Sequence, residues 1–310
     1  MTTVARDVLA TIGSTPLVEL RKLVPDGFAR VAVKLESANP TGSMKDRMAL
    51  AMIESAEADG RLLPGGEVIE LTGGSTGTSL ALVCAVKDHP LSIVTSDAVS
   101  VDKRNHMKAL GARLTVVPSD GGRFTDALFQ TMMTTTRRLV AERGAFWTNQ
   151  FESADQVAGY YSLGEEIWHQ TEGRIDAFVQ VVGTSGSIRG AGTVLRTQRP
   201  DVEVIGVEPA SSAVLSGRPS GAHTIEGIGI GRVPPLWDPK LANEIQCVTT
   251  EEAEYMARKA AREEGIFAGT SSGANLVAAL RVAERLGEGG AVVTLIVDHG
   301  MKYLSTDLYK

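Results

Sequence analysis

Short apolar runs rich in β-branched residues alternate with segments of helical period along most of the chain. Near-continuous apolar character over 31–36, 67–71, 91–95 and 114–117 predicts strands, because a strand buried on both faces has no polar side to show. Between and after them, apolar residues at helical spacing predict helices over 45–58, 76–87, 101–110 and 123–142. A second series follows, with strands at 177–182, 203–208, 245–248 and 291–297 and helices at 187–197, 250–264 and 273–286. The break between the two series falls near 149–155. Strands separated by helices in this way predict an α/β protein: two α/β units with largely parallel sheets covered on both faces, and a cleft between them. No short-period repeat or low-complexity tract interrupts the pattern.

Four of the connecting segments concentrate groups with chemical uses. In the first, Pro40 and Gly42 mark a turn, and Ser43 is placed to cap the helix behind it, with Asp46 completing a box-like start. Lys45 then lies in the first helical turn, where the positive helix end and partial desolvation favour a neutral amine, the form that attacks a carbonyl. A solvated surface lysine is the bland alternative. In the second, Gly183, Thr184, Ser185, Gly186 and Ser187 join a strand to a helix and suit a phosphate, or else form a tight turn without a ligand. Dinucleotide binding, suggested by Glu208 at the end of the next strand, fails on the glycine spacing. In the third, Thr72, Gly73, Gly74, Ser75 and Thr76 again gather amides and hydroxyls at a helix start, suited to a carboxylate or to a plain flexible turn. In the fourth, Ser271 and Ser272 head an apolar helix, where N-cap duty alone explains either.

Composition narrows the classes. A length of 310 residues corresponds to about two domains, and 43% apolar with 22% charged residues is an ordinary globular balance. A net charge of −6 with scattered Lys and Arg argues against nucleic acid or an anionic membrane as partner. The apolar run at 291–297 is too short to span a bilayer, and residues 1–9 show no basic head followed by an apolar stretch. A cytoplasmic protein is expected, with Cys84 and Cys247 as buried thiols of a reducing compartment. His89, His106, His169, His223 and His299 show no metal-like pairing, so no metal is expected, and His106 reads as a helix-surface residue. Arg232 reads as a solvated loop arginine.

In order and spacing, the four segments resemble the cysteine synthase and cystathionine β-synthase family of fold-type-II pyridoxal-phosphate enzymes, closest to O-acetylserine sulfhydrylase-like proteins. The resemblance extends to the runs beginning at Ile12 and Gly227, to Glu264 through Gly269, and to Lys302 through Thr306. It implies two three-layer αβα domains of the tryptophan synthase β type: a smaller, mobile one over 39–150 and a larger one from 1–38 and 151–310. It also implies pyridoxal 5'-phosphate as cofactor. Lys45 would hold it as an imine and move the substrate α-proton. Gly183, Thr184, Ser185, Gly186 and Ser187 would cradle its phosphate, and Ser271 would bond its ring nitrogen. Thr72, Gly73, Gly74, Ser75, Thr76 and Gln150 would bind the substrate carboxylate, with Gly227 on a rim that responds to closure.

The implied reaction is β-replacement. An activated L-serine such as O-acetylserine loses its leaving group to give an aminoacrylate, to which sulfide or a related nucleophile adds. A different β-replacement or elimination within the family is the alternative reading: another thiol acceptor, specialised amino-acid synthesis, or serine/threonine dehydration. A catalytically silent binding protein is a reading from another class. A homodimer and a serine acetyltransferase partner follow from the same resemblance. Two departures bear on the substrate. Gly73 and Ser75 stand where the family's carboxylate loop carries serine and asparagine, that asparagine being the residue near the cofactor's ring oxygen. After Gln150, the run Ser153, Ala154, Asp155, Gln156 replaces the usual Asn-Pro-Ala-Asn.

Overall fold

The computed structural model of the protein describes residues 4–122 and 125–310. The first half of the chain forms β1 (Leu17–Glu19), β2 (Arg30–Leu35), α1 (Lys45–Ala58), β3 (Val68–Leu71), α2 (Ser75–Val86), β4 (Leu91–Ser96), α3 (Val101–Ala109), β5 (Arg113–Val117), α4 (Asp126–Arg143) and β6 (Phe146–Trp147). The second half forms α5 (Asp155–Ala158), α6 (Tyr161–Gln170), β7 (Ala177–Val181), α7 (Gly186–Gln198), β8 (Glu203–Pro209), β9 (Glu244–Val248), α8 (Thr250–Glu263), α9 (Thr270–Leu286) and β10 (Ala291–Ile296). The start expected for α4, at Arg123 and Phe124, lies outside the described residues, as do Met1, Thr2 and Thr3 of the N-terminal reading.

The strands form two sheets, ordered β1-β2-β10-β7-β8-β9 and β5-β4-β3-β6. Every pairing is parallel except β1 on β2. β3, β4, β7 and β10 are buried at every position, which is why their sequences run apolar without alternation. The main core is continuous between the sheets: Met48, Met52 and Ile53 of α1 and Leu80 and Val83 of α2 belong to the same cluster as Val31, Phe178 and Leu295. A second cluster, with Ile69, Val94, Phe129 and Met132, fills the other face of the smaller sheet. No helix among the described residues is long and apolar enough to cross a membrane.

Four elements add to the sequence reading: β1, β6, α5 and α6. β1 has two exposed residues out of three, and β6 has only two residues, both half-buried, so neither makes a run. α6 places Leu163 and Ile167 in the core with Trp168 packed against it, an apolar set at helical spacing within a helix of only 10 residues.

Candidate active site

Lys45 is the first residue of α1, and the end of β10 holds it in place. Ser43 forms a bridge with Asp298, and Met44 N donates to Val297 O at 2.9 Å. The expected capping box does not form. Met44 occupies the cap position without a side-chain bond, Ser43 Oγ accepts from Lys45 N at 3.2 Å, and Asp46 turns back to Thr41 N at 2.8 Å and to the Thr41 hydroxyl. The turn before the helix is buried, so Thr41 N needs the acceptor that a box would have given to the helix end. Burial pushes the Lys45 ammonium down to about 8; Asp298 opposes the shift, and Lys302 and Lys103 reinforce it. Lys302 is itself buried, and its Nζ has no hydrogen-bond partner among the described residues.

The loop from β7 to α7 forms a cradle. Ser185 has φ +74°, and its Oγ is buried with no hydrogen-bond partner, an orphan hydroxyl at the amide end of a helix. A Cβ on Gly183 would come 2.5 Å from the backbone Gly227 O, so that position admits only glycine, and one on Gly186 would come 2.4 Å from Gln156 Oε1 and displace that side chain. Thr184 Oγ1 donates to Gln156 Oε1 at 2.6 Å, and Ser187 Oγ accepts from Gln180 Nε2 at 2.8 Å.

The Thr72 loop and the head of α9 complete the set. Thr72 Oγ1 accepts from Gly74 N at 3.0 Å, and Ser75 and Thr76 open α2. Thr76 Oγ1 donates to Gln150 Oε1 at 2.8 Å, while Gln150 Nε2 donates to Leu71 O at 2.7 Å. A Cβ at Gly73 would meet nothing within 4 Å. Ser75 Oγ stands 3.5 Å from Asp298 Oδ2, which also accepts from Tyr303 OH at 2.8 Å. Neither Ser271 nor Ser272 caps α9: Gly269 is the cap residue, and both serines lie inside the first turn. Ser272 Oγ instead accepts from Val297 N at 2.9 Å, since the end of β10 needs an acceptor there. Ser271 is 2% exposed and its hydroxyl bonds to none of the described residues. Gly227 follows Glu226, whose N donates to Thr270 Oγ1 at 3.1 Å and whose carboxylate pairs with Lys103.

A partly neutral amine, an orphan hydroxyl over helix amides, and an unbonded hydroxyl at Ser271 match the aldehyde, phosphate and ring nitrogen of pyridoxal phosphate. A family model described as pyridoxal-phosphate dependent enzyme matches residues 8–298. The chain belongs to this family. A cysteine synthase of Staphylococcus aureus (strain N315) is 41% identical over 305 residues, spanning 98% of this chain and 96% of the relative. The structure of O-acetylserine sulfhydrylase isoform 3 from Entamoeba histolytica superposes with a TM-score of 0.92 at 40% identity, over 99% of this chain and 92% of that one. An O-acetylserine dependent cystathionine β-synthase from Helicobacter pylori gives 0.92 at 32% identity, over 100% of both chains.

In this pyridoxal-phosphate dependent enzyme, several groups at the site escaped the sequence reading. Asp298 and Lys302 set the charge around Lys45, Lys103 pairs with Glu226, and Gln156 touches both the Gln150 carbonyl and Thr184. The signal available was position: Asp298 stands just past a buried parallel strand, where α/β sheets place their ligands. His106 lies on α3 and is half-buried, and burial and then Lys302 push its imidazolium below the ordinary range. Arg232 is not a solvated loop arginine. Its guanidinium lies 4.3 Å from the Phe129 ring centre and 5.9 Å from that of Phe151, because a ring face stabilises a cation that keeps part of its hydration. Cys84 is buried and Cys247 half-buried. No group of three or more His, Cys, Asp or Glu among the described residues is arranged to hold a metal ion.

Proposed function

We propose that the protein catalyses β-replacement on an activated L-serine of the O-acetylserine type, with sulfide or a related nucleophile, to give L-cysteine or an analogue. The observation that carries this is the partly neutral Lys45 amine at the end of β10, among the three loops that open α2, α7 and α9. Pyridoxal phosphate, when bound, supplies the electron-withdrawing ring that acidifies the amino acid's α-carbon. Lys45 Nζ holds the cofactor, takes the α-proton and returns it after the nucleophile has added. Gly183, Thr184, Ser185, Gly186 and Ser187 hold the phosphate, and Ser271 Oγ meets the ring nitrogen with a neutral group that does not force its protonation. Thr72, Gly73, Gly74, Ser75, Thr76 and Gln150 hold the substrate carboxylate, and Ser75 also faces the cofactor ring.

Residues 39–150 form the smaller, moving domain and 1–38 with 151–310 the larger one. Closure of Gly227 and the Thr72 loop over the bound carboxylate excludes water. The same reading makes the protein a cytoplasmic homodimer on which a serine acetyltransferase docks. A second reading, with a larger nucleophile or with elimination, is favoured by Gly73, where open space replaces a side chain.

The test is purified holoenzyme with O-acetylserine and sulfide, assayed for cysteine, beside Lys45→Ala. The proposal expects cysteine from the wild type and none from the variant. Absence of turnover with every activated serine and acceptor in a panel of thiols refutes it.

A further inference from the structure

Behind the proposed carboxylate site lies a buried acid that the reaction as described does not use. Glu70, the third residue of β3, is 1% exposed. Its Oε2 accepts from Thr148 Oγ1 at 2.6 Å and from Gln150 N at 2.9 Å. Its Oε1 accepts from Leu71 N at 2.7 Å and from Trp147 Nε1 at 3.4 Å. All four partners are donors, and only an ionised carboxylate accepts from all of them. Three of them come from β6 and the turn behind it, so the carboxylate ties that segment to β3. Gln150, held through its backbone by Glu70, reaches back with its side chain to Leu71 O and Thr76 Oγ1.

We infer that Glu70 is a positioning residue for amino-acid binding: ionised, it fixes Gln150 and with it the Thr76–Gln150 pair, and protonated, it lets that pair drift. The inference rests on the reading of Thr76 and Gln150 as the carboxylate site. Burial pushes the Glu70 carboxyl up to about 7, with the four hydrogen bonds acting against the rise. No charged side chain is among the groups that act on it. β4 and α2 carry no charged residue, and α4 turns Phe129, Met132, Met133 and Thr136 inward. The ion-paired Glu67, with Arg113 of β5 and Arg143 of α4, precedes the far end of β3. The sign follows directly. A carboxyl raised to about 7 is ionised above that pH and neutral below it, so amino-acid affinity is full on the alkaline side and falls as pH drops through 7.

The experiment titrates holoenzyme with L-alanine, which has no β-leaving group, and reads binding as the change in the cofactor's visible absorbance from about pH 6 to about pH 8.5. Donor kcat and KM are measured alongside. In wild type, the dissociation constant should rise below an inflection near 7. Glu70→Gln, which puts an amide N–H against donors, should weaken binding about tenfold at the alkaline end and lack that inflection. Its kcat should stay within about twofold, the split that a positioning role predicts. Thr148→Val, which removes one donor from the ionised form, should move the inflection to higher pH. Parallel profiles for wild type and Glu70→Gln, or equal affinity at the alkaline end, overturn the inference. If Glu70→Gln does not fold, a wild-type profile flat through 7, or one that Thr148→Val leaves unmoved, does the same. Failure of the proposed reaction reads differently: L-alanine still binds, and no activated serine turns over.

Discussion

The reactivity of Lys45 can be tested before any substrate is known. Its amine titrates at about 8 in place of the ordinary 10.5. At pH ~7.5 it is therefore neutral in about a quarter of molecules, against about one in a thousand for an ordinary lysine, an advantage of roughly 200-fold in attack on an aldehyde. Mixing apoprotein with pyridoxal phosphate and following the visible absorbance gives the capture rate as a function of pH. That rate should climb up to about 8 and then level, because the neutral fraction saturates there. Neighbouring charge supplies the perturbation. Lys302→Met removes a cation that disfavours the ammonium and should move the inflection up; Asp298→Asn removes the opposing anion and should move it down. A rate that keeps rising about tenfold per pH unit through about pH 10 would refute the reasoning, since the amine would then be an ordinary one. Equal inflections in all three proteins would show that burial acts without the charges.

Three further outcomes follow from the structure. Arg47 is buried between Glu36 at 2.7 Å and Glu166 at 2.7 Å, so Arg47→Ala should cost about 3–5 kcal/mol in urea unfolding, and a loss below about 1 kcal/mol would contradict the pairing. Glu166 is held down to about 2 by Arg47 and Lys34 against its own burial. A depressed carboxylate stabilises fully above its unfolded value of 4.5 and loses that contribution as pH falls toward about 2; Glu166→Gln should flatten this acid limb of the thermal-unfolding profile. Gly73→Ser adds a Cβ that meets nothing within 4 Å, so the midpoint should stay within about 2 °C while the preference among β-substituted serines changes; an unchanged preference would remove Gly73 from substrate selection.

The parallel strands were readable because burial on both faces leaves few polar positions and no alternation. β3, β4, β7 and β10 combine complete burial with largely apolar runs. α1 was readable to its ends, Lys45 and Ala58, because Met48, Met52 and Ile53 mark one face. The details of caps were not, since a hydroxyl near a helix start has several acceptors and donors to choose from once the chain folds. Ser43, Ser271 and Ser272 all read as caps; Ser43 Oγ accepts from the Lys45 amide without the box, and the two later serines cap nothing. Ser272 bonds the end of β10 instead, a partner set by topology and not by neighbours in sequence. α6 was legible in principle, since Leu163, Ile167 and Trp168 recur at helical spacing, but over only 10 residues.

The chemistry divides along the same line. Residue types that act through local backbone, such as the glycines at 183 and 186 before a helix, announce themselves in order and spacing. At both positions a built Cβ would meet an oxygen at 2.5 Å or less, so the backbone there is closely approached. Charges that tune the site do not announce themselves. Lys45 is neutralised mainly by burial, and Asp298, Lys302 and Lys103 decide by how much; each arrives from a distant part of the chain. Asp298 is the sharpest case. It opposes the shift of Lys45, stands 3.5 Å from Ser75 Oγ, and takes the Tyr303 hydroxyl at 2.8 Å. It therefore acts on the amine proposed to hold the cofactor and on the loop where this chain departs from the family pattern. A change at Ser75 alters a neighbour of Asp298 and, through it, the charge state of Lys45, so substitutions in the substrate loop should move the pH dependence of the amine as well as the choice of substrate.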